Sequence, residues 1–146
     1  MNIEERINND IKTAMLAKDS KKLEALRAIK SSILLLKTSA EGLTEESAMK
    51  SIQKEVKKRK ESYDLYVQQN RQDLAEVEQF QAAIMEEYLP KQLSEDEIKA
   101  ELQKIISSVG ANGPGDMGKV MGAASKYFAG KADNKIVSQL VKQLLG

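Results

Sequence analysis

DMGKVMGAASKYFAGKADNKIVSQLVKQLL, residues 116–145, is the stretch whose reading decides the fold. Its apolar residues recur at helical spacing in two blocks, and a turn separates them. Asp116 can open the first helix by accepting hydrogen bonds from its free N–H groups. Gly122 removes a side chain where another backbone could come close. Gly130 suits the left-handed residue that ends a helix, and Asp133 can cap the next one. The segment therefore predicts two helices, roughly Asp116–Ala129 and Asp133–Leu145.

Upstream of this pair, Leu93-Ser94-Glu95-Asp96-Glu97-Ile98 combines a Ser-x-x-Glu capping box with a Leu93/Ile98 hydrophobic staple. That helix runs through Leu102, Ile105 and Val109 and stops at Gly110. Gly113-Pro114-Gly115 is a loop. Leu89-Pro90 closes whatever precedes, because proline disfavours helical geometry in the residue before it. The first 90 residues read as four helices. Ile3, Ile7, Ile11 and Ala14 or Met15 line the first. Leu23, Leu26, Ile29, Ile33 and Leu36 line the second, which starts at Asp19 or Ser20 and breaks at Glu41-Gly42. Thr44 caps a long third helix lined by Met49, Ile52, Val56, Tyr63 and Tyr66 or Val67, with Glu45 and Glu46 at its positive end. Gln69-Asn70 ends or bends it. Leu74, Val77, Ile84 and Tyr88 form a stripe on the fourth, interrupted by Gln81. No strand pattern is present, so the fold class is all-α: a four-helix N-terminal domain, residues 1–90, and a three-helix tail domain, residues 91–146.

Composition removes several chemistries. The 146 residues include no cysteine and no histidine, which excludes thiol catalysis, thiolate metal sites and imidazole proton transfer. Charge is balanced overall, at 23 basic and 22 acidic side chains, but unevenly spread. Residues 1–90 carry net −1, residues 91–146 net +2, and the stretch from Asp116 onward net +3. No apolar run approaches the roughly 20 residues that span a membrane. The N-terminus MNIEERINND is acidic and amphipathic, unlike a signal peptide. A cytoplasmic location is the expectation.

Gly113 to Lys119 satisfies both GxGxxG and GxxxxGK, patterns that hold phosphate on backbone N–H groups. Each needs a strand before it. Here a helix precedes, Val120 stands where a magnesium-binding hydroxyl belongs, and Asp116 would repel phosphate. A capped turn accounts for the pattern. The cluster Lys54, Lys57, Lys58, Arg59 and Lys60 reads either as a phosphate-contacting stripe or as a solvated face with i,i+4 partners such as Glu61. Arg59 falls beside the apolar stripe and could pair with a carboxylate. Lys119 and Lys126, seven residues apart, share a helix face, and Lys131 and Lys135 follow in and beyond the turn. These four read as one basic patch or as a solubilising surface. Tyr127 is placed to stack on a base or to edge the small core. The carboxylates Glu86, Glu87, Glu95, Asp96 and Glu97 read as helix capping and dipole chemistry rather than acid–base catalysis.

The tail stretch, QKEVKKRKESYDLY at residues 53–66, Arg71-Gln72-Asp73-Leu74 and Glu87-Tyr88-Leu89-Pro90-Lys91-Gln92-Leu93-Ser94 resemble the GatB/YqeY family, in its small stand-alone YqeY-like branch. The resemblance implies a helical domain joined to a small tail domain like that of the tRNA-dependent amidotransferase B subunit, whose tail is implied to touch tRNA. It associates the chain with glutamine-dependent carbon–nitrogen ligase machinery. The expected function is a non-catalytic helical module that binds tRNA or joins that machinery; the alternative is a protein-interaction adaptor without RNA contact. Lys119, Lys126, Lys131, Lys135, Lys57 and Lys58 are the candidate RNA-binding residues. No catalytic residue, metal ligand or cofactor is nominated. The expected partners are tRNA and an amidotransferase or aminoacyl-tRNA synthetase, without membrane or DNA.

Overall fold

A computed structural model describes residues 2–146. The described residues contain helices and connecting turns and no strand. Seven α-helices run in order: α1 (Ile3–Leu16), α2 (Ser20–Lys37), α3 (Glu45–Gln68), α4 (Gln72–Glu86), α5 (Glu95–Val109), α6 (Met117–Tyr127) and α7 (Asn134–Leu145). A 3-10 turn, Pro114–Asp116, precedes α6. The chain divides into two units, Met1–Leu89 and Pro90–Gly146. Among the described residues no helix is long and apolar enough to cross a membrane.

Local chemistry explains most helix starts. Asn2, Asp19, Thr44 and Ser94 each accept a hydrogen bond from an N–H in the first turn of the helix that follows. Ser94 and Glu97 close the capping box the sequence announces. At Thr44 the reciprocal partner is Ser47, whose hydroxyl accepts from the Thr44 N–H at 2.8 Å. α3 gives way at Asn70, which adopts the left-handed conformation at φ 57°. The second helix ends earlier than the Glu41-Gly42 break predicts. Ser39 and Thr38 hydroxyls donate to the carbonyls of Leu36 and Leu35, at 2.7 and 3.1 Å, and so satisfy the last turn four residues sooner.

The first unit packs α2 against α1, α3 and α4, with α3 and α4 forming the most extensive pair. Its core joins Ile7, Ala14, Leu26, Ile29, Ile33, Ile52, Val56, Met85 and Tyr88. The inward face of α4 is rotated from its apolar stripe: Ile84 and Tyr88 of the stripe are buried, and Leu74 is partly buried. Ala75, Gln81, Ala82, Ile84 and Met85 are buried, whereas Val77 is 46% exposed. Small side chains at Ala75 and Ala82 leave room for a close helix neighbour. Gln81 is tolerated inside because its amide oxygen accepts from Arg59 Nε at 3.0 Å. Arg59 also donates to Glu55 through Nη1 at 2.5 Å, and Ser32 donates to the other Glu55 oxygen at 2.9 Å. One half-buried carboxylate thus links α2, α3 and α4. Burial raises the Glu55 pKa, but the hydrogen bonds from Arg59 and Ser32 and the nearby guanidinium outweigh it and hold the carboxyl below the ordinary glutamate value.

The second unit buries Ile98 and Leu102 of α5, Val120 and Ala124 of α6, Phe128 and Ala132 of the turn, and Val137, Leu140 and Val141 of α7. Its core shares no residue with that of the first unit.

Two outcomes follow from these cores. A group whose folded pKa is lowered contributes stability above its unfolded pKa and loses it as pH falls through the folded value. The Glu55 contribution is therefore complete above about pH 4.5 and drains away below it. Glu55→Gln, compared by urea unfolding across the carboxylate pH range, should lower stability at pH 7 and show a shallower loss on acidification. An equal slope in both proteins would contradict the network. Phe128→Ala should cost about 3–5 kcal/mol, as much as a unit of about 60 residues holds in total. Amide spectra should then show residues 90–146 unfolded while the first unit keeps its dispersed signals.

Candidate nucleic-acid interface

The tail unit displays its lysines around a turn that two long-range hydrogen bonds pin in place. Gly130 takes the left-handed conformation at φ 78°. Gln92 Nε2 donates to the Gly130 carbonyl at 2.6 Å, and the Leu93 N–H donates to the Lys131 carbonyl at 2.9 Å. Asp133 accepts from the Lys135 N–H at 2.9 Å and starts α7. Lys126 ends α6, Lys131 lies in the turn and Lys135 opens α7. Lys119 sits two turns up α6, about 10 Å along the axis from Lys126.

Lys119, Lys126 and Lys135 are exposed. Among the described residues, none of the three has a carboxylate within ion-pairing distance. In the first unit, by contrast, Lys37, Lys50, Arg59, Lys60 and Arg71 all pair with acids. Lys131 is engaged differently, its Nζ 4.3 Å from the centroid of the Tyr127 ring. That ring stands edge-on to Phe128, with centroids 4.9 Å apart, and is 41% exposed. Burial, then the Glu101 carboxylate that it hydrogen-bonds, pushes the Tyr127 hydroxyl above the ordinary tyrosine value. Tyr127 is thus both an edge of the core and an exposed ring, its orientation fixed by Lys131 and Glu101.

Lys57 and Lys58 are exposed on α3 of the first unit. They belong to the first unit, and the four tail lysines to the second. Arg59 leaves the basic stripe altogether and serves the Glu55 network.

Two details of the tail depart from the sequence reading. The Asp116 side chain does not cap α6. Its carboxylate accepts from the Asn112 N–H at 2.9 Å and ties the Gly113-Pro114-Gly115 turn to the end of α5. The 3-10 turn runs directly into α6, so Asp116 spans the loop behind it instead. Gly122 meets no close neighbour: a Cβ there would find nothing within 4 Å. Sequence reasoning also passed over Gln92, because its partner carbonyl lies 38 residues away and no local pattern marks it.

Of the carboxylates near Pro90, Glu86 and Glu97 are engaged structurally. Glu86 pairs with Lys60 at 2.8 Å. Glu97 is held below the ordinary value by hydrogen bonds from the Ser94 backbone and side chain, the reverse of what a general acid needs. Tyr88 donates to Asp10, and its ring carries the Arg6 guanidinium at 4.3 Å. Arg6 also donates to the Glu87 carbonyl at 2.9 Å. Burial, with the Asp10 hydrogen bond and charge, drives the Tyr88 hydroxyl far above its usual range, so it stays protonated as a clasp between α1 and the end of α4.

A family model described as "Yqey-like protein" matches residues 4–145. The chain belongs to the YqeY-like family. Among its relatives is a protein of Pyrenophora tritici-repentis named "Altered inheritance of mitochondria protein 41, mitochondrial", 30% identical over 97% of this chain and 80% of its own length. Proteins of the same name from Clavispora lusitaniae and Meyerozyma guilliermondii are 33% and 31% identical. They match 70% and 80% of the chain, which spans only 62% and 63% of their lengths. The mitochondrial naming of all three overturns the cytoplasmic expectation. A chain without thiols suits either compartment, so the cysteine count carried no address.

The two glycines flanking the patch should respond oppositely. Gly130→Ala, forced into left-handed backbone, should lose about 1–2 kcal/mol. Gly122→Ala, in open space on a helix, should gain about 0.5–1 kcal/mol. Thermal unfolding of the two variants beside the parent checks both signs.

Proposed function

We propose that the tail unit of this YqeY-like chain is a non-catalytic tRNA-binding element that serves tRNA-dependent amidotransferase machinery. One observation carries the reading: Lys119, Lys126 and Lys135 are exposed without acid partners beside a turn held rigid by Gly130, Gln92 and Leu93. Unneutralised ammonium groups on a fixed turn suit phosphate contact, where each contact releases counterions. Lys131 and the exposed Tyr127 ring add a cation and a stacking surface. Lys57 and Lys58 offer a second, weaker stripe. The carboxylates engaged in caps and ion pairs, together with the lack of histidine and cysteine, support a binding role over a catalytic one. The ligase chemistry associated with the family would then reside in other components.

Binding of bulk tRNA should weaken steeply with salt, and replacing Lys119, Lys126, Lys131 and Lys135 by Ala should lower the slope of log affinity against log salt by about 2–3. Replacing Lys57 and Lys58 should change it by about 1 or less. Filter binding at several salt concentrations measures both. Salt-independent binding, or an unchanged slope in the fourfold variant, would defeat the proposal.

A further inference from the structure

The first unit carries a second recognition surface of opposite charge. α3 and α4 are antiparallel and leave a cleft of about 400 Å³ between them, lined by Lys60, Tyr63, Asp64, Gln79, Ala83 and Glu86. Cavities of this size admit several side chains of a bound segment. The cleft stays open because α4 presents alanine there, Ala82 at its floor and Ala83 at its lip.

Beside the lip, Glu76, Phe80 and Ala83 of α4 and Glu87, which follows its last residue, fall in one row at i, i+4, i+7 and i+11, and all four are exposed. Phe80 is 40% exposed and its neighbour Val77 46%, although both are large apolar residues on a helix that buries alanines and a glutamine instead. The row is therefore acid, aromatic, methyl, acid. Along the α4 row the charge is all acidic, whereas the α3 wall carries Lys57 and Lys60 besides Asp64. Asp64, Glu76 and Glu87 have no ion pair within 4 Å among the described residues. Lys60 is neutralised by Glu86 at 2.8 Å. A cationic segment is attracted, and an ammonium or guanidinium group can also settle over the Phe80 ring.

We propose that the α3–α4 cleft and the Glu76–Glu87 row dock a basic amphipathic helix of a protein partner. Its apolar side chains cover Phe80, Val77 and Ala83, and its lysines or arginines meet Asp64, Glu76 and Glu87. This is the helix-in-groove mode of recognition, with charge setting the partner class. The surface lies wholly in residues 1–89.

The test uses the full chain and a fluorescein-labelled amphipathic peptide of about 18 residues, built of leucine and lysine with leucines at i, i+3, i+4 and i+7. A counterpart replaces every lysine by glutamate. Fluorescence anisotropy should show the lysine peptide binding at least about tenfold more tightly than the glutamate peptide. Ala83→Arg fills the cleft with a cation, and Glu76→Lys reverses one end of the row. Each should weaken lysine-peptide binding by about tenfold, while Lys119→Ala leaves it unchanged. Amide signals of Tyr63 and Ala83 should shift on titration. Equal affinity for the two peptides, parent-like affinity in Glu76→Lys, or shifts that avoid α3 and α4 would each overturn the proposal. Position 76 is exposed, so Glu76→Lys keeps the test decisive if Ala83→Arg fails to fold.

Discussion

The turn between α6 and α7 is held by a constraint that no single helix supplies. Gly130 bends the backbone into the left-handed region, and Gln92 and Leu93, from the segment leading into α5, bind the carbonyls that the bend exposes. Three consequences hang on this. Carbonyls that would otherwise be stranded at a buried helix end are satisfied. Phe128 and Ala132 are delivered to the core on either side of the bend. The lysines nearest the bend also gain fixed positions, which a flexible loop would deny them. A small unit has little hydrophobic area to spare, so tying its first segment to its last turn matters more here than in a larger domain.

The two units place their charges differently. In the first, Lys37, Lys50, Arg59, Lys60 and Arg71 pair with acids, and the most buried of these pairs, Arg59–Glu55, is completed by Ser32 and Gln81. A half-buried ion pair stabilises only when its remaining polar atoms are also satisfied, and here no buried side-chain nitrogen or oxygen among the described residues lacks a partner. In the tail, the two aspartates beyond residue 115 accept backbone N–H groups, of Asn112 and Lys135. Lys119, Lys126 and Lys135 are left to face solvent, while Lys104 pairs with Glu101. Near-neutral composition conceals this division, because it averages an acidic face on α4 against cations near the α6–α7 turn.

Features that depend on neighbours three or four residues away were legible in the sequence. The caps at Thr44, Ser94 and Asp133, the helix stop at Gly110 and the left-handed end at Gly130 all rest on short-range hydrogen bonds or backbone sterics. The inward face of α4 was legible only in part: Ile84 and Tyr88 were marked, but Ala75, Ala82 and Met85 were not. Alanine scores weakly as an apolar marker yet fits a close helix seam, and Gln81 is buried only because Arg59, 22 residues earlier, reaches it. Asp116 looked like a cap because it precedes a helix; the tertiary course of the loop gave it Asn112 instead. For the candidate interface, the positions of the lysines along α6 and α7 could be read directly. Which of them lack an acid partner, and that Lys131 lies over an aromatic ring, depended on packing that no periodicity encodes.

Gly122 offers an experimental opening. It sits three residues after Lys119 and four before Lys126, on the same side of α6, and has open space where its side chain would be. The chain contains no cysteine. A single thiol installed at this site would be unique in the molecule, so a maleimide dye could be seated between the two cations and report, by quenching or energy transfer, on any polyanion that approaches them.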